Sequence, residues 1–267
     1  MNTQNKLKLL VHSEYLIFEW AKKTVNAFHH YAVKNGLELK MAFSPEKLLT
    51  RRGEAVIVIG VDQDWLRSVI GTLKNYGAYI IVMAGEPQDE IDNVSYVNID
   101  QRSLMRTSLE YLASRGRSRT AFFGVQKNDL SDNIKKITFL KYHREDSVYT
   151  IDSTVSAAFD RFFADAGRYD SVICSNDVIA YCFLRLCRER GIRIPRDLYL
   201  IGNGDLWISS HMKPSLTTAA YDWQGNVENV VSVIQHIFGL PSFNSLEMNL
   251  DAVLVMREST GHGFVPS

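Results

Sequence analysis

Short β-rich runs alternate with amphipathic stretches almost from end to end of this chain, and that alternation restricts it to βαβ units built around parallel sheets. The strand runs of the first half are Lys8 to His12, Glu38 to Ala42, Ala55 to Ile59, Tyr79 to Ala84 and Val94 to Ile99. Between them, apolar residues recur at helical spacing: Leu16, Trp20, Val25, Phe28 and Tyr31, then Trp65, Val69, Ile70 and Leu73. Gly36 and Gly77 follow these runs as helix stops. A helix fits Ser103 to Ser114, closed by Gly116, and a strand from Thr120 to Val125 opens a second cycle. That cycle continues with strand Val148 to Ile151, helix Ser153 to Ala166, strand Ser171 to Ser175, helix Asp177 to Arg190, strand Leu198 to Gly202 and, further on, helix Trp223 to Phe238. The reading is α/β, with two successive sheets of about four to six strands and therefore two lobes. At 267 residues and 46% apolar composition the chain can fill both cores. No Pro/Gly/Ser-rich linker separates the halves, so several chain crossings are expected in place of one tether.

Several function classes are disfavoured at this stage. Thirty Lys plus Arg balance thirty Asp plus Glu, so the whole chain offers no broad positive field for nucleic acid or an anionic membrane. No apolar run approaches the roughly 18 to 20 residues of a membrane span; the longest, Tyr79 to Gly85, has strand length. The first twenty residues lack a signal-peptide h-region and cleavage site, so a cytoplasmic protein, or one whose leader has been trimmed, is expected. Cys174, Cys182 and Cys187 lie on apolar segments and read as free core thiols. Neither GxxxxGK[ST] nor GxGxxG occurs, the seven histidines are scattered, and no GxSxG elbow is present. No cofactor, metal site or catalytic residue is therefore expected, and the chain is not read as an enzyme.

Polar residues at the C-terminal ends of strands are the candidates for ligand contact, because open α/β sheets bind ligands there. They are Ser13, Asp62, Asp100, Asn176 and Asp205. Tyr15 and Phe18, just after Ser13, join them, as do Lys135 and Trp223. Each has a plainer reading: Asp100 and Asn176 as helix N-caps, Asp205 as a turn residue after Gly202, and Trp223 as packing at a helix start.

The segment from Tyr169 to Thr218 is more specific. YDSVICSNDVIAYCFLRLCRERGIRIPRDLYLIGNGD, then KPSLTTAAYDW, and near the end VLVMREST resemble the effector-binding core of the lactose-repressor (LacI/GalR) family of bacterial transcription regulators. In that family a strand ends in AND, a helix ends before RG and VP, the next strand ends in GFDD or GYDD, and PLTT and RES follow. Upstream, VNIDQRSLMRTSLEYLASRGRSRTAFFGV is similar to the family's pattern from its N-lobe carboxylate to its crossover strand.

The resemblance implies a type I periplasmic-binding-protein-like fold: two lobes, each a parallel sheet flanked by helices, with a sugar or other small polar metabolite in the cleft. Residues 1–122 plus 223–250 would form the N-terminal lobe, and 123–222 plus 251–267 the C-terminal lobe. It implies a homodimer, with the helix Val178 to Leu186 and the loop bearing Trp207 and Ile208 as contacts. DNA would be bound only through a helix-turn-helix head of about sixty residues ahead of the first strand. Here that strand starts within ten residues of Met1, so the head is expected to be missing from this chain.

Carried over by position, Asp100 matches the N-lobe carboxylate, Asn176 the AND amide, and Trp223 the aromatic that stacks on ligand near the hinge. Two departures stand out: the family's GFDD reads GNGD, so Gly204 replaces its first Asp, and the family's arginine has no match beyond Lys135. Losing an acid while gaining a lysine leans the expectation toward an effector bearing phosphate or carboxylate. A transport or receptor binding protein, or an α/β enzyme with convergent acid and base groups, are the alternatives.

Overall fold

In a computed structural model, described over residues 6–60, 62–84, 94–98, 100–237, 245–250 and 252–263, the chain forms two compact units. One comprises residues 1–100 and 222–251, the other 101–221 and 252–267, so the chain passes between them three times. The sequence-based lobes put the first crossing after Phe122. That position falls inside strand Thr120–Val125, a fully buried strand of the second sheet, and the division by contacts falls at 100/101 instead.

In the first unit, strands β1 (Lys6–Val11), β2 (Glu38–Ala42), β3 (Ala55–Ile59), β4 (Tyr79–Ala84), β5 (Val94–Asn98) and β11 (Glu247–Asn249) form a parallel sheet in the order β11-β5-β4-β3-β1-β2. Its helices are α1 (Glu19–Lys34), the short α2 (Pro45–Leu48), α3 (Gln63–Asn75) and α9 (Trp223–Ile237). The inner strands are apolar on both faces, as AVIVI in β3 shows, because helices cover both sides of a parallel sheet. α3 buries Leu66, Val69, Ile70 and Leu73 against Val56, Val58, Ile80 and Val82; Trp65, expected on this face where Leu66 stands, packs against the same core half-buried. Ile99 and Phe238, the expected ends of a strand and a helix, lie outside the described residues.

The second unit has β6 (Thr120–Val125), β7 (Val148–Thr150), β8 (Ser171–Cys174), β9 (Tyr199–Asn203), β10 (Thr217–Tyr221) and β12 (Ala252–Val255) in the order β12-β10-β9-β8-β6-β7. It is parallel except at its edge, where β12 runs antiparallel to β10 with Thr218 opposite Val255. A wholly parallel second sheet was expected; an antiparallel strand is readily accommodated at an edge. Its helices are α4 (Gln101–Ser114), α5 (Leu130–Phe139), α6 (Val155–Ala164), α7 (Asp177–Glu189) and α8 (Trp207–His211). Residues 207 and 208 thus start a helix and not the expected loop. Phe123, Phe159, Phe162, Phe183, Tyr149 and Tyr169 interlock in the core, with Phe123 and Phe183 ring centroids 4.8 Å apart. Cys174 and Cys187 are buried free thiols and Cys182 is half-buried; burial pushes the first two up. Among the described residues no helix is long and apolar enough to cross a membrane.

Candidate functional site

The C-terminal strand ends of the first unit are an aromatic surface. β1 ends at Val11, and a 3-10 turn, Ser13–Ile17, carries the chain into α1. Tyr15 stands at its centre: its ring lies 5.1 Å from His12, 5.7 Å from Phe18 and 6.0 Å from Trp20. His12 meets Trp65 edge-on at 4.7 Å. Trp65 is fixed from below, since its backbone N–H donates to Asp62 Oδ1 at 2.7 Å, the N-cap of α3. Gly60 makes room for it, because a Cβ at that position would sit 2.8 Å from the Trp65 ring. Burial, then the Asp62 and Glu14 carboxylates, push the Tyr15 hydroxyl above its ordinary value. Ser13 and Phe18 are exposed and Tyr15 half-buried. Sequence reading found Ser13, Tyr15 and Phe18 but placed His12 only at a strand end and Trp65 only on a helix face. The signal for Trp65 was its place three residues after a capping Asp at a strand end.

The corresponding strand ends of the second unit are a hydrogen-bonded polar network. Asn176 caps α7, its Oδ1 accepting from the Ile179 N–H at 3.0 Å, which is the plainer reading of this residue. The next residue, Asp177, was passed over as a helix start and proves to be the centre of the network. It is buried, and its carboxylate accepts from the Leu206 N–H, the Ser209 hydroxyl and the Thr218 hydroxyl, each at 2.7 Å. Burial is the largest influence on it and pushes its carboxyl above the usual range, against the pull of those donors. Gly202 permits the approach, as a Cβ there would collide with the Asp177 carboxylate. Beside it, Asn203 Nδ2 donates to the Cys174 carbonyl at 2.7 Å, while Asn203 Oδ1 is buried with no hydrogen-bond partner.

The charged candidates here are internally matched. Lys135 is buried; its Nζ donates to the Ser175 carbonyl at 2.6 Å and pairs with Asp132 at 2.9 Å. Asp205 pairs with Arg257 at 2.7 Å, and the same guanidinium donates to the Leu216 carbonyl. Lys127 pairs with Asp152 at 2.7 Å, after β6 and β7 respectively. The cation on which the expectation of an anionic effector rested therefore has its counter-charge inside the fold. Gly204 has φ +117° and Asp205 φ +47°, so the GNGD turn runs through the left-handed region. The family's Asp could not replace Gly204 on this backbone without strain. Asp100 directly precedes α4, and Trp223, half-buried, opens α9; both lie next to points where the chain passes from one unit to the other.

The periplasmic binding protein-like domain family matches residues 109–260. The HTH-type transcriptional repressor PurR of Vibrio atlanticus is 28% identical over 120 residues, which cover 41% of this chain and 36% of that protein. A solved structure described as a transcriptional regulator CelR–cellobiose complex shares the fold at 19% identity with a TM-score of 0.67, covering 96% of this chain and 84% of that one. Another, a LacI family transcriptional regulator from Enterococcus faecium with bound ribose, gives 16% identity and a TM-score of 0.66 over 96% of this chain and 98% of that one. The chain spans between 36% and 53% of the length of the first curated relatives it matches. With the family matched over more than half of this chain and the strand order of both sheets in place, the chain belongs to the periplasmic-binding-protein-like family and has the α/β fold of a LacI-type effector domain.

Proposed function

We propose that this chain is the effector-binding and dimerisation part of a LacI-type transcription regulator, not an enzyme, and that its effector is a small, neutral, polar metabolite of the sugar class. The family match supports the regulator reading, and the solved relatives in complex with cellobiose and with bound ribose support a sugar. Neutrality rests on the second unit's strand ends, where Lys127, Lys135 and Arg257 each face a carboxylate. A phosphate or carboxylate ligand would have to compete with Asp132 or Asp205 for its cation and would leave a buried or half-buried charge unpaired, while Lys127 and Asp152 pair at the exposed edge.

The groups assigned to the ligand are the rings of Tyr15, Phe18 and Trp223, with Ser13, Asp100 and Asn176 as hydrogen-bonding partners. Sugar C–H faces stack on aromatic rings while their hydroxyls need bidentate polar groups. Asp205 and Lys135 act behind this layer, holding the turn after β9 and the loop after β8. The effector acts by population shift, through its different affinity for two conformations, and so alters DNA binding by a helix-turn-helix head in the cytoplasm. Dimerisation is assigned to the apolar face of α7 and α8, where Val178, Tyr181 and Trp207 are 51%, 40% and 70% exposed.

A thermal-shift screen against neutral mono- and disaccharides and nucleosides tests this reading. A ligand that binds only the folded state must raise Tm in a saturable way. No rise with any neutral sugar, together with a saturable rise with an anionic metabolite, overturns it.

A further inference from the structure

At the opposite end of the second sheet, where β9 begins, two arginines converge on one phenol. Arg115 and Arg117 follow α4, and Tyr199 is the first residue of β9. The Arg117 guanidinium carbon lies 4.2 Å above the Tyr199 ring centroid. Burial by itself would raise the Tyr199 hydroxyl; the Arg115 and Arg117 guanidinia beside it hold it below its ordinary value instead. The turn after β12 completes the surround: Gly261, at φ +86°, passes so close that a Cβ there would lie 3.4 Å from the Tyr199 hydroxyl oxygen. Thr260, just before it, is tied to α4 through the Tyr111 hydroxyl at 3.1 Å. Three separate segments thus build one rigid spot.

Several other arginines of this unit are paired with carboxylates. Arg119 faces Asp170, Arg168 Asp146, Arg190 Asp160, Arg193 Asp197 and Arg257 Asp205. Among the described residues, Arg115 and Arg117 have no such carboxylate; what they share is a neutral hydroxyl. Two guanidinia repel each other, and their planar N–H forks suit a tetrahedral oxyanion that can accept from both while the phenol donates a further hydrogen bond.

We propose that Arg115, Arg117 and Tyr199 form a binding site for a phosphate monoester, separate from the effector residues at the other strand ends. The ester is either a free metabolite or a phosphorylated side chain of a partner protein; the chemistry of recognition is the same.

The test is a titration of the chain with O-phosphoserine and, in parallel, with a phosphoserine peptide and its unphosphorylated twin, read by arginine Nε–Hε and backbone amide NMR shifts. Saturable shifts at Arg115 and Arg117 are expected, with at least tenfold weaker binding in Arg117→Gln and in Arg115→Gln, and a severalfold loss in Tyr199→Phe. Thermal melts of the three variants check that they fold; exposed Arg115 provides the variant least tied to packing. Tighter binding of the phosphopeptide than of O-phosphoserine identifies a protein partner, and equal binding identifies a metabolite. Absence of saturation by about 10 mM, or saturation that survives both Arg→Gln changes, overturns the proposal.

Discussion

The two sheets end in opposite kinds of surface. In the first unit the residues beyond β1 and β3 are rings, His12, Tyr15, Phe18, Trp20 and Trp65, edge to face around His12 and tilted between Tyr15 and its Phe18 and Trp20 neighbours. In the second, the residues beyond β6, β8 and β9 are polar and wired to one another, with Asp177, Asn203, Lys135 and Asp205 at the nodes. Both units hold a buried lysine paired with a carboxylate, Lys8 with Glu54 at 2.5 Å and Lys135 with Asp132 at 2.9 Å, but the second adds buried Asp177, which has neutral donors only. The first unit can therefore offer apolar faces without disturbing its own bonds, while these strand ends of the second offer fixed amide and hydroxyl geometry with Lys127, Lys135 and Arg257 already paired. The effector proposed for this chain, neutral with hydroxyls on an apolar ring, follows from this contrast.

The largest way to break the contrast is to empty the node of the polar network. Asp177→Ala leaves the Leu206 N–H and the hydroxyls of Ser209 and Thr218 without their acceptor, and is expected to cost about 4 kcal/mol in urea unfolding. A cost under about 1 kcal/mol would mean the network is incidental.

Lys135→Met comes next and separates structure from recognition. It strands buried Asp132 and is expected to cost about 3 kcal/mol of stability, yet to leave affinity for a neutral effector within about twofold. A tenfold loss of affinity in the folded variant would put Lys135 in contact with ligand.

On the aromatic side the expected effects are smaller and reversed. Tyr15→Ala and Trp223→Ala should each weaken effector binding by about 1 to 2 kcal/mol by calorimetry while the fold persists. Unchanged affinity in both would confine the rings to packing.

The smallest effect is on pH dependence. Asp177 has a carboxyl raised in the folded state, so its contribution to stability is complete below the ordinary carboxylate range and is lost as pH rises through its folded value. Glu54 is lowered despite burial, chiefly by Lys8, so its contribution is present above the ordinary value and is lost as pH falls through the folded one. Subtracting Asp177→Asn from wild-type stability across pH should give a difference that grows on acidification, and Glu54→Gln a difference that shrinks. Differences of the same sign would dissolve the distinction between the units.

Much of the fold is legible in the sequence because both unit cores follow simple periods. AVIVI and YIIVM read as strands, and Val69, Ile70 and Leu73 as a helix face, although Trp65 was placed there where Leu66 is the buried residue. The short edge strands β11 and β12 escaped notice because neither EMN nor AVLV carries an alternation long enough to register. The crossing at 100/101 was misplaced because the chain changes units at a helix start, where no composition shift marks it. At the site, residue types were readable but their engagement was not. Asp205 and Lys135 looked available because Arg257 and Asp132, which neutralise them, declare themselves only once the chain is folded. Asp177 was hidden by its own neighbour, since Asn176 already accounted for the helix cap.

The central claim is that the effector is neutral, and competition calorimetry tests it most directly. A neutral sugar found by the thermal-shift screen is titrated alone and then in the presence of its own phosphate ester. Micromolar binding of the sugar, undiminished by a tenfold excess of the ester, is the predicted result. Displacement of the sugar by the ester, or tighter binding of the ester at the same residues, would contradict it.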